Sequence, residues 1–252
     1  MSEPCIVVLV HGAWHGAWCW EPVLGGLADA GVPVRVVELP GHGDDPGPLG
    51  DLHGDAAAVR RVLDTVGGPV VLVGHSYGGV VVTEAGDHPA VVHLAYLAAF
   101  NLDAGESAMG AAAALTQAAA IDHSGRPDAL AWLALADDGT STVDPEGARV
   151  LFYQDCPPDL ADWAVARLGP QPMVTLTQEP AAVAWRHRPS TYAVCTEDNI
   201  VHPDLQRVLA RRADRVVEWP TGHSPFLARP DLVVGLLAAL ARGEDPPGTA
   251  QA

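Results

Sequence analysis

The sequence predicts an α/β protein, a six-stranded and mostly parallel sheet with helices on both faces and an inserted helical cap. Three observations carry that expectation. Short apolar, β-branched runs recur along the chain, helix-forming segments separate most of them, and the stretch 101–188 is Ala-rich without a strand signal. Strands buried on both faces read as continuous apolar runs, and their alternation with helices calls for the crossovers of a parallel sheet.

The six runs are 5–10, 34–38, 70–73, 94–99, 191–195 and 216–219, bounded by Gly, Pro or Asp. Helices are expected over 20–30, 54–66, 77–87, 203–213 and 230–242. Residues 1–100 and 189–252 thus form the core. Within the insertion 101–188, helices are expected over 108–120, 127–136, 145–153 and 158–168, with 137–141 as a turn. Such an insertion, set over the strand ends, walls a pocket; the bland alternative is a decoration without a substrate role. The tail 243–252, with Asp245-Pro246-Pro247-Gly248, is expected to be disordered.

Composition narrows the chemistry. The chain has 31 acidic residues against 14 basic ones, a formal charge of -17, and every basic residue is Arg. Without lysine, a phosphate-binding Walker lysine, a Schiff base and a Ser-Lys dyad are all excluded. The charge repels nucleic acid and anionic membrane surfaces, so neither is expected as a partner. Cys5, Cys19, Cys156 and Cys195 are scattered, with no metal or disulfide spacing, and read as free thiols in a reducing compartment. The N-terminus has no basic region, and its apolar stretch 5–10 is too short for a signal or a membrane span. A cytoplasmic protein is expected. No cofactor or metal is called for.

One motif points to covalent catalysis. Gly74-His75-Ser76-Tyr77-Gly78 lies between the apolar runs 69–73 and 79–82, the setting of a strand-to-helix nucleophile elbow. Small flanking residues let strand and helix approach and tolerate strain at Ser76. The bland reading is a Gly-rich turn with a capping serine. Of the eleven histidines, His223 is the best base, because it follows the last strand in Trp219-Pro220-Thr221-Gly222-His223 and precedes the final helix. His75, next in the chain to Ser76, points away from its hydroxyl. His42, His53, His88, His123 and His187 sit in polar stretches where solvated surface histidines are usual. His11, His15 and His202 are candidates to line or support the site, with structural roles favoured.

The base needs an orienting carboxylate that follows a strand end, and Asp198 or Glu197 qualifies, with Asp198 favoured. The bland reading of that pair is a charged turn. An oxyanion hole is expected from the backbone N–H groups of Ala13, in His11-Gly12-Ala13 after the first strand, and of Tyr77. Gly12, Trp14, Trp18, Tyr77, Phe100, Trp132, Phe152, Tyr153 and Phe226 are candidates to line an apolar pocket, and about half of such residues serve the core instead.

With nucleophile, acid and base in this order, each at a strand end, the chain resembles the α/β-hydrolase fold family from first strand to last helix. The opening Val8-Leu9-Val10-His11-Gly12-Ala13-Trp14-His15-Gly16-Ala17-Trp18 is similar to that of the plant methylesterase and hydroxynitrile lyase group and its bacterial esterase relatives. The resemblance implies a core lacking the first two strands of the larger fold. It also implies that the acid lies in an Asp-x-x-x-x-Pro stretch, matched by Asp198 through Pro203. Lyases of that group carry threonine at the position of Gly12 and lysine at that of Ser224, and this chain has neither.

The expected activity is therefore hydrolysis of a small carboxylic ester through an acyl-enzyme on Ser76, and a neutral ester is expected before an anionic one. The expected partner is that small molecule, with a homodimer also compatible. Alternatives are carbon-carbon lyase, lactonase or cofactor-free oxygenase chemistry with the same residues, or a non-catalytic ligand receptor.

Overall fold

The computed structural model describes residues 4–246, 248, 250 and 251. In chain order, β1 (Ile6–Val10), α1 (Glu21–Asp29), β2 (Val34–Val37), α2 (Leu52–Asp64), β3 (Val70–His75), α3 (Gly78–Ala85) and β4 (Val91–Leu97) build the first half. An insert follows, with α4 (Ala108–Ala118), β5 (Leu133–Leu135), β6 (Thr140–Val143), α5 (Pro145–Phe152), α6 (Pro158–Val165) and β7 (Gln171–Pro172). The chain then returns through β8 (Ser190–Cys195), α7 (Pro203–Ala210), β9 (Arg215–Trp219), α8 (Pro225–Ala228), α9 (Pro230–Ala241) and β10 (Ala250–Gln251).

The main sheet has the order β10-β9-β8-β4-β3-β1-β2. Its six longer strands are all parallel, as expected, and β3 at the centre is buried at every position. A strand covered by helices on both faces is buried in this way, and its Val-rich run suits that place.

Two expectations need correction. The tail does not end as a disordered segment at 243: Ala250 and Gln251 pair antiparallel with Val216 and Arg215 at the sheet edge, while residues 247, 249 and 252 lie outside the described residues. The insert is also not purely helical. Where a helix was expected over 127–136, a 3-10 turn (Ala129–Trp132) leads into β5, which pairs with β6, and β6 pairs with β7. The turn before β6 accounts for this. Gly139 takes φ 82°, and Asp138 accepts the Thr140 N–H at 2.9 Å, so the Asp-Gly chemistry of a hairpin overrides the helical bias of alanine and leucine.

The crowded point of the fold lies where β3 passes into α3. A Cβ at Gly74 would sit 2.5 Å from the Gly78 carbonyl oxygen, and one at Gly78 would sit 2.5 Å from that of His11. Neither position can hold a side chain without displacing backbone. Beneath α3, the Tyr77 hydroxyl donates to Asp55 Oδ2 of α2 at 2.6 Å, fastening the two helices through a buried pair.

Alanine at Gly74 or Gly78 should lower stability by about 1–3 kcal/mol or more, the range of forced overpacking. Gly25→Ala, in an exposed stretch of α1 where an added Cβ meets nothing within 4 Å, should raise it by roughly 0.5–1 kcal/mol. Urea unfolding of the three variants checks the contrast.

A second expectation concerns pH. Burial pushes the Asp55 carboxyl up to about 6, against the opposing hydrogen bond from Tyr77. In the unfolded chain it titrates near 4, at about the usual carboxylate value. The folded protein therefore holds the proton more tightly. This contribution to stability is present below about pH 4 and lost as pH rises through about 6. Asp55→Asn stays neutral and can still accept from Tyr77, so its stability relative to wild type should rise between pH 4 and 7 by on the order of 3 kcal/mol. Denaturation curves that run parallel across that range would contradict this.

Candidate active site

Ser76 takes the left-handed conformation, φ 52°, between the last residue of β3 and the start of α3. Such a conformation is strained for a residue with a side chain and persists only when its surroundings enforce it. Here the Ser76 N–H donates to the Leu97 carbonyl at 3.2 Å, and its own carbonyl accepts from Gly79 at 3.0 Å and Phe100 at 3.2 Å. With its main chain tied on both sides, the Ser76 side chain is presented to a pocket.

The loops after β8 and β9 bring Asp198 and His223 together, with His223 Nδ1 to Asp198 Oδ2 at 2.7 Å. Asp198 is fully buried and saturated with donors. Its Oδ1 accepts the N–H groups of Ile200 at 2.8 Å and Val201 at 3.0 Å, and its Oδ2 accepts Gln206 Nε2 at 2.8 Å. A carboxylate held this way can only accept, so the proton of a neutral His223 lies on Nδ1 and its Nε2 is left as a base. Glu197, the other acid considered, is exposed. Gln206 was not anticipated from the sequence, where nothing marks a glutamine on a helix as the support of a carboxylate.

His223 is set beside the elbow by a backbone contact, because His75 Nε2 donates to the His223 carbonyl at 2.8 Å. The Ser76 hydroxyl has no hydrogen-bond partner among the described residues. Hydrogen bonds of this kind commonly tighten only when substrate is bound. Burial holds the neighbouring histidines neutral. His75 lies well below its ordinary value through burial and the proximity of His223, and burial takes His15 down to about 3. A positive charge on His223 would therefore face Asp198 without a cationic ring alongside.

The parallel register pairs Val10 with Gly74, which puts the chain after β1 against the elbow. A Cβ at Gly12 would lie 2.9 Å from Ser76 Cβ and from His75 Nδ1, so a side chain there would require one of these neighbours to shift. Among the described residues, neither the Ala13 nor the Tyr77 N–H has an acceptor in the protein, and both residues line the Ser76 pocket. Trp14 follows with φ 62° and is held by the insert on three sides. Its N–H donates to Gln171 Oε1 at 3.2 Å, its Nε1 to Ser141 Oγ at 3.1 Å, and its carbonyl accepts from Gly169 at 2.8 Å. His42, expected at the surface, is buried and donates to the same Gln171 oxygen at 2.9 Å.

The pocket at Ser76 has a volume of about 210 Å³ and an apolar wall. Trp14, Tyr77 and Phe100 belong to it, joined by Met109, Leu130, Leu133, Met173 and Leu176 of the insert and by Ile200 and Val201. The other aromatic candidates lie elsewhere. Phe152 stacks behind Trp14 with ring centres 5.9 Å apart, and Trp18 packs on His15 and Trp163. Tyr153 is bonded through its hydroxyl to His15 at 2.9 Å, and Phe226 packs on Trp20 and His75. Trp132 lies against the backbone of Gly147.

Comparison with known proteins identifies the family and the fold. The profile of the alpha/beta hydrolase family matches residues 7–236. The chain is 31% identical over 254 residues to the alpha/beta hydrolase nvfD of Aspergillus novofumigatus, covering 94% of this chain and 96% of that one. It is 30% identical over 244 residues to the carbendazim hydrolyzing esterase of a Nocardioides species, covering 92% and 98%. Among solved structures, a pyrethroid hydrolase from Sphingobium faniae superposes with a TM-score of 0.78 at 24% identity, covering 94% of this chain and 97% of that one. With its parallel sheet, its strained serine between β3 and α3 and a match along nearly its whole length, the chain belongs to the alpha/beta hydrolase family.

Proposed function

We propose that the protein is a serine hydrolase that cleaves the carboxylic ester of a small, largely apolar molecule through an acyl-enzyme on Ser76. The observation that supports this reading is the donor-saturated Asp198 side chain bonded to His223 Nδ1, an arrangement that leaves Nε2 available to accept the proton of the strained Ser76. His223 takes the Ser76 proton as Oγ bonds to the ester carbon, and the Ala13 and Tyr77 N–H groups hold the carbonyl oxygen as it becomes negative. Collapse of that intermediate breaks the bond to the alcohol, which leaves with the proton returned by His223. Water, deprotonated by the same imidazole, then releases the acid.

The insert serves as a cap in this proposal, since it supplies most of the apolar wall and shields the reacting atoms from bulk water. The esterase names of the relatives, carbendazim hydrolyzing esterase and methyl jasmonate esterase among them, favour an ester as substrate. Unpaired cysteines at 5, 19, 156 and 195 favour a reducing compartment, the cytoplasm. No helix among the described residues is long and apolar enough to cross a membrane.

With p-nitrophenyl butyrate, wild-type protein should turn over and show an intact-mass increase of one butyryl group, absent in Ser76→Ala. His223→Ala should lose turnover as well. Asp198→Asn should fold but lose about 10⁴ in kcat, because its amide can donate to His223 and favour the wrong tautomer. Turnover that survives Ser76→Ala would remove the acyl-enzyme and leave the His223–Asp198 pair as an acid/base couple for other chemistry.

A further inference from the structure

Beside the apolar pocket lies a second cavity of about 520 Å³ whose chemistry is different. The two share Ala112, Ala129, Leu130 and Ile200 as common walls, so the larger space adjoins the Ser76 pocket across these four residues. The far side of that space is polar, with Arg126, His123 and His202 facing one another.

Arg126 is the informative residue. Its Nη1 donates to the backbone carbonyl of Asp198, which anchors the guanidinium on the loop that carries the proposed acid. Among the described residues, its Nε and Nη2 have no partner, and it forms no ion pair in a chain with 31 acidic residues. Arg149, Arg186, Arg212 and Arg229 are each matched with a carboxylate, whereas Arg35, Arg61, Arg167, Arg188, Arg211 and Arg242 share with Arg126 the lack of an ion pair among the described residues but line neither cavity. Asp128 lines the same cavity, but its Oδ1 is occupied by the N–H of Leu130 at 3.0 Å in its own turn. His202 accepts the Asp204 N–H at 3.1 Å, and burial together with the nearby guanidinium holds its imidazole below the ordinary value. The cavity thus presents one fixed cation with unused donors in fork geometry, the arrangement that recognises a carboxylate.

We infer that Arg126 reads a carboxylate at the far end of the substrate, so that the preferred ester is a half-ester with its ester group at Ser76, an apolar segment along Leu130 and Ile200, and its free acid in the second cavity. This inference rests on the ester-cleaving reading above and gives that reading a substrate class. It also reverses the expectation of a neutral substrate, which followed from the scarcity of cations and could not see where this arginine is placed.

The test compares monomethyl half-esters of linear dicarboxylic acids, succinate to sebacate, with methyl esters of the matching monocarboxylic acids. In wild-type protein the ratio of kcat/KM for half-ester over neutral ester should peak at one chain length. Arg126→Gln should lower that peak about tenfold, the usual loss of a charge-assisted hydrogen bond. Because Arg126 also touches the Asp198 loop, the ratio is the readout and not the absolute rate. Asp128→Asn keeps the turn acceptor but removes the opposing charge, and should raise the same peak. A ratio that is flat with chain length, or equal in wild type and Arg126→Gln, overturns the inference while leaving ester cleavage intact. Should no methyl ester be turned over, the ester reading fails for this class. Calorimetric binding of monomethyl azelate to Ser76→Ala then decides the subsite alone: a Kd raised about tenfold by Arg126→Gln supports it, and an unchanged Kd overturns it.

Discussion

The structure depends on one crowded crossing, where the backbone of β3 turns into α3 directly against the chain leaving β1. Two glycines, 74 and 78, allow carbonyl oxygens to come within the space a side chain would fill, and Ser76 between them is bent into the left-handed region. The parallel pairing of β1 with β3 fixes which residues meet there, and so sets Gly12 and Ala13 beside Ser76 and Tyr77. Strain at one residue is affordable because the main-chain groups of Ser76 are bonded to neighbours on both sides.

Around that crossing the protein manages buried polar groups by giving each titratable one a defined form. Asp198 is surrounded by four donors, whereas His15 and His75 are held neutral by burial. The two treatments leave His223 as the group placed to change charge in the proposed reaction. The insert braces the loops that carry these residues, with Gln154 donating to the Glu197 carbonyl and Asp155 accepting from Gly222 beside His223.

Much of this was legible in the sequence, for identifiable reasons. Runs such as Val70-Val71-Leu72-Val73 have no stable alternative to a buried strand, and the spacing of glycines around Ser76 marks a turn with little other use. The pairing of Asp198 with His223 was legible because each lies in the loop a few residues past a strand end. The insert was less so. Leu133-Ala134-Leu135 has helix-forming composition, and its pairing depends on β6 and, beyond it, on Gln171. Pocket walls were harder still: the aromatic residues Phe152, Tyr153 and Phe226 proved more useful as packing behind the site, while Met109, Leu176 and Val201, unremarkable in sequence, reached its surface. His42 looked like a loop histidine and is buried because its partner, Gln171, is 129 positions away.

The attachment of Trp14 to Gln171, Ser141 and Gly169 bears on how such enzymes diversify. An insert that varies among relatives is often treated as an interchangeable module, with selectivity carried by the module and chemistry by the scaffold. Here the residue after Ala13 is positioned by groups that belong to the insert. Exchanging the whole segment between relatives would carry away part of the support for the loop after β1, unless a tryptophan socket travels with it. Successful chimeras of this scaffold would therefore break the chain within the insert, between α4 and β5, and keep the small sheet with its parent core.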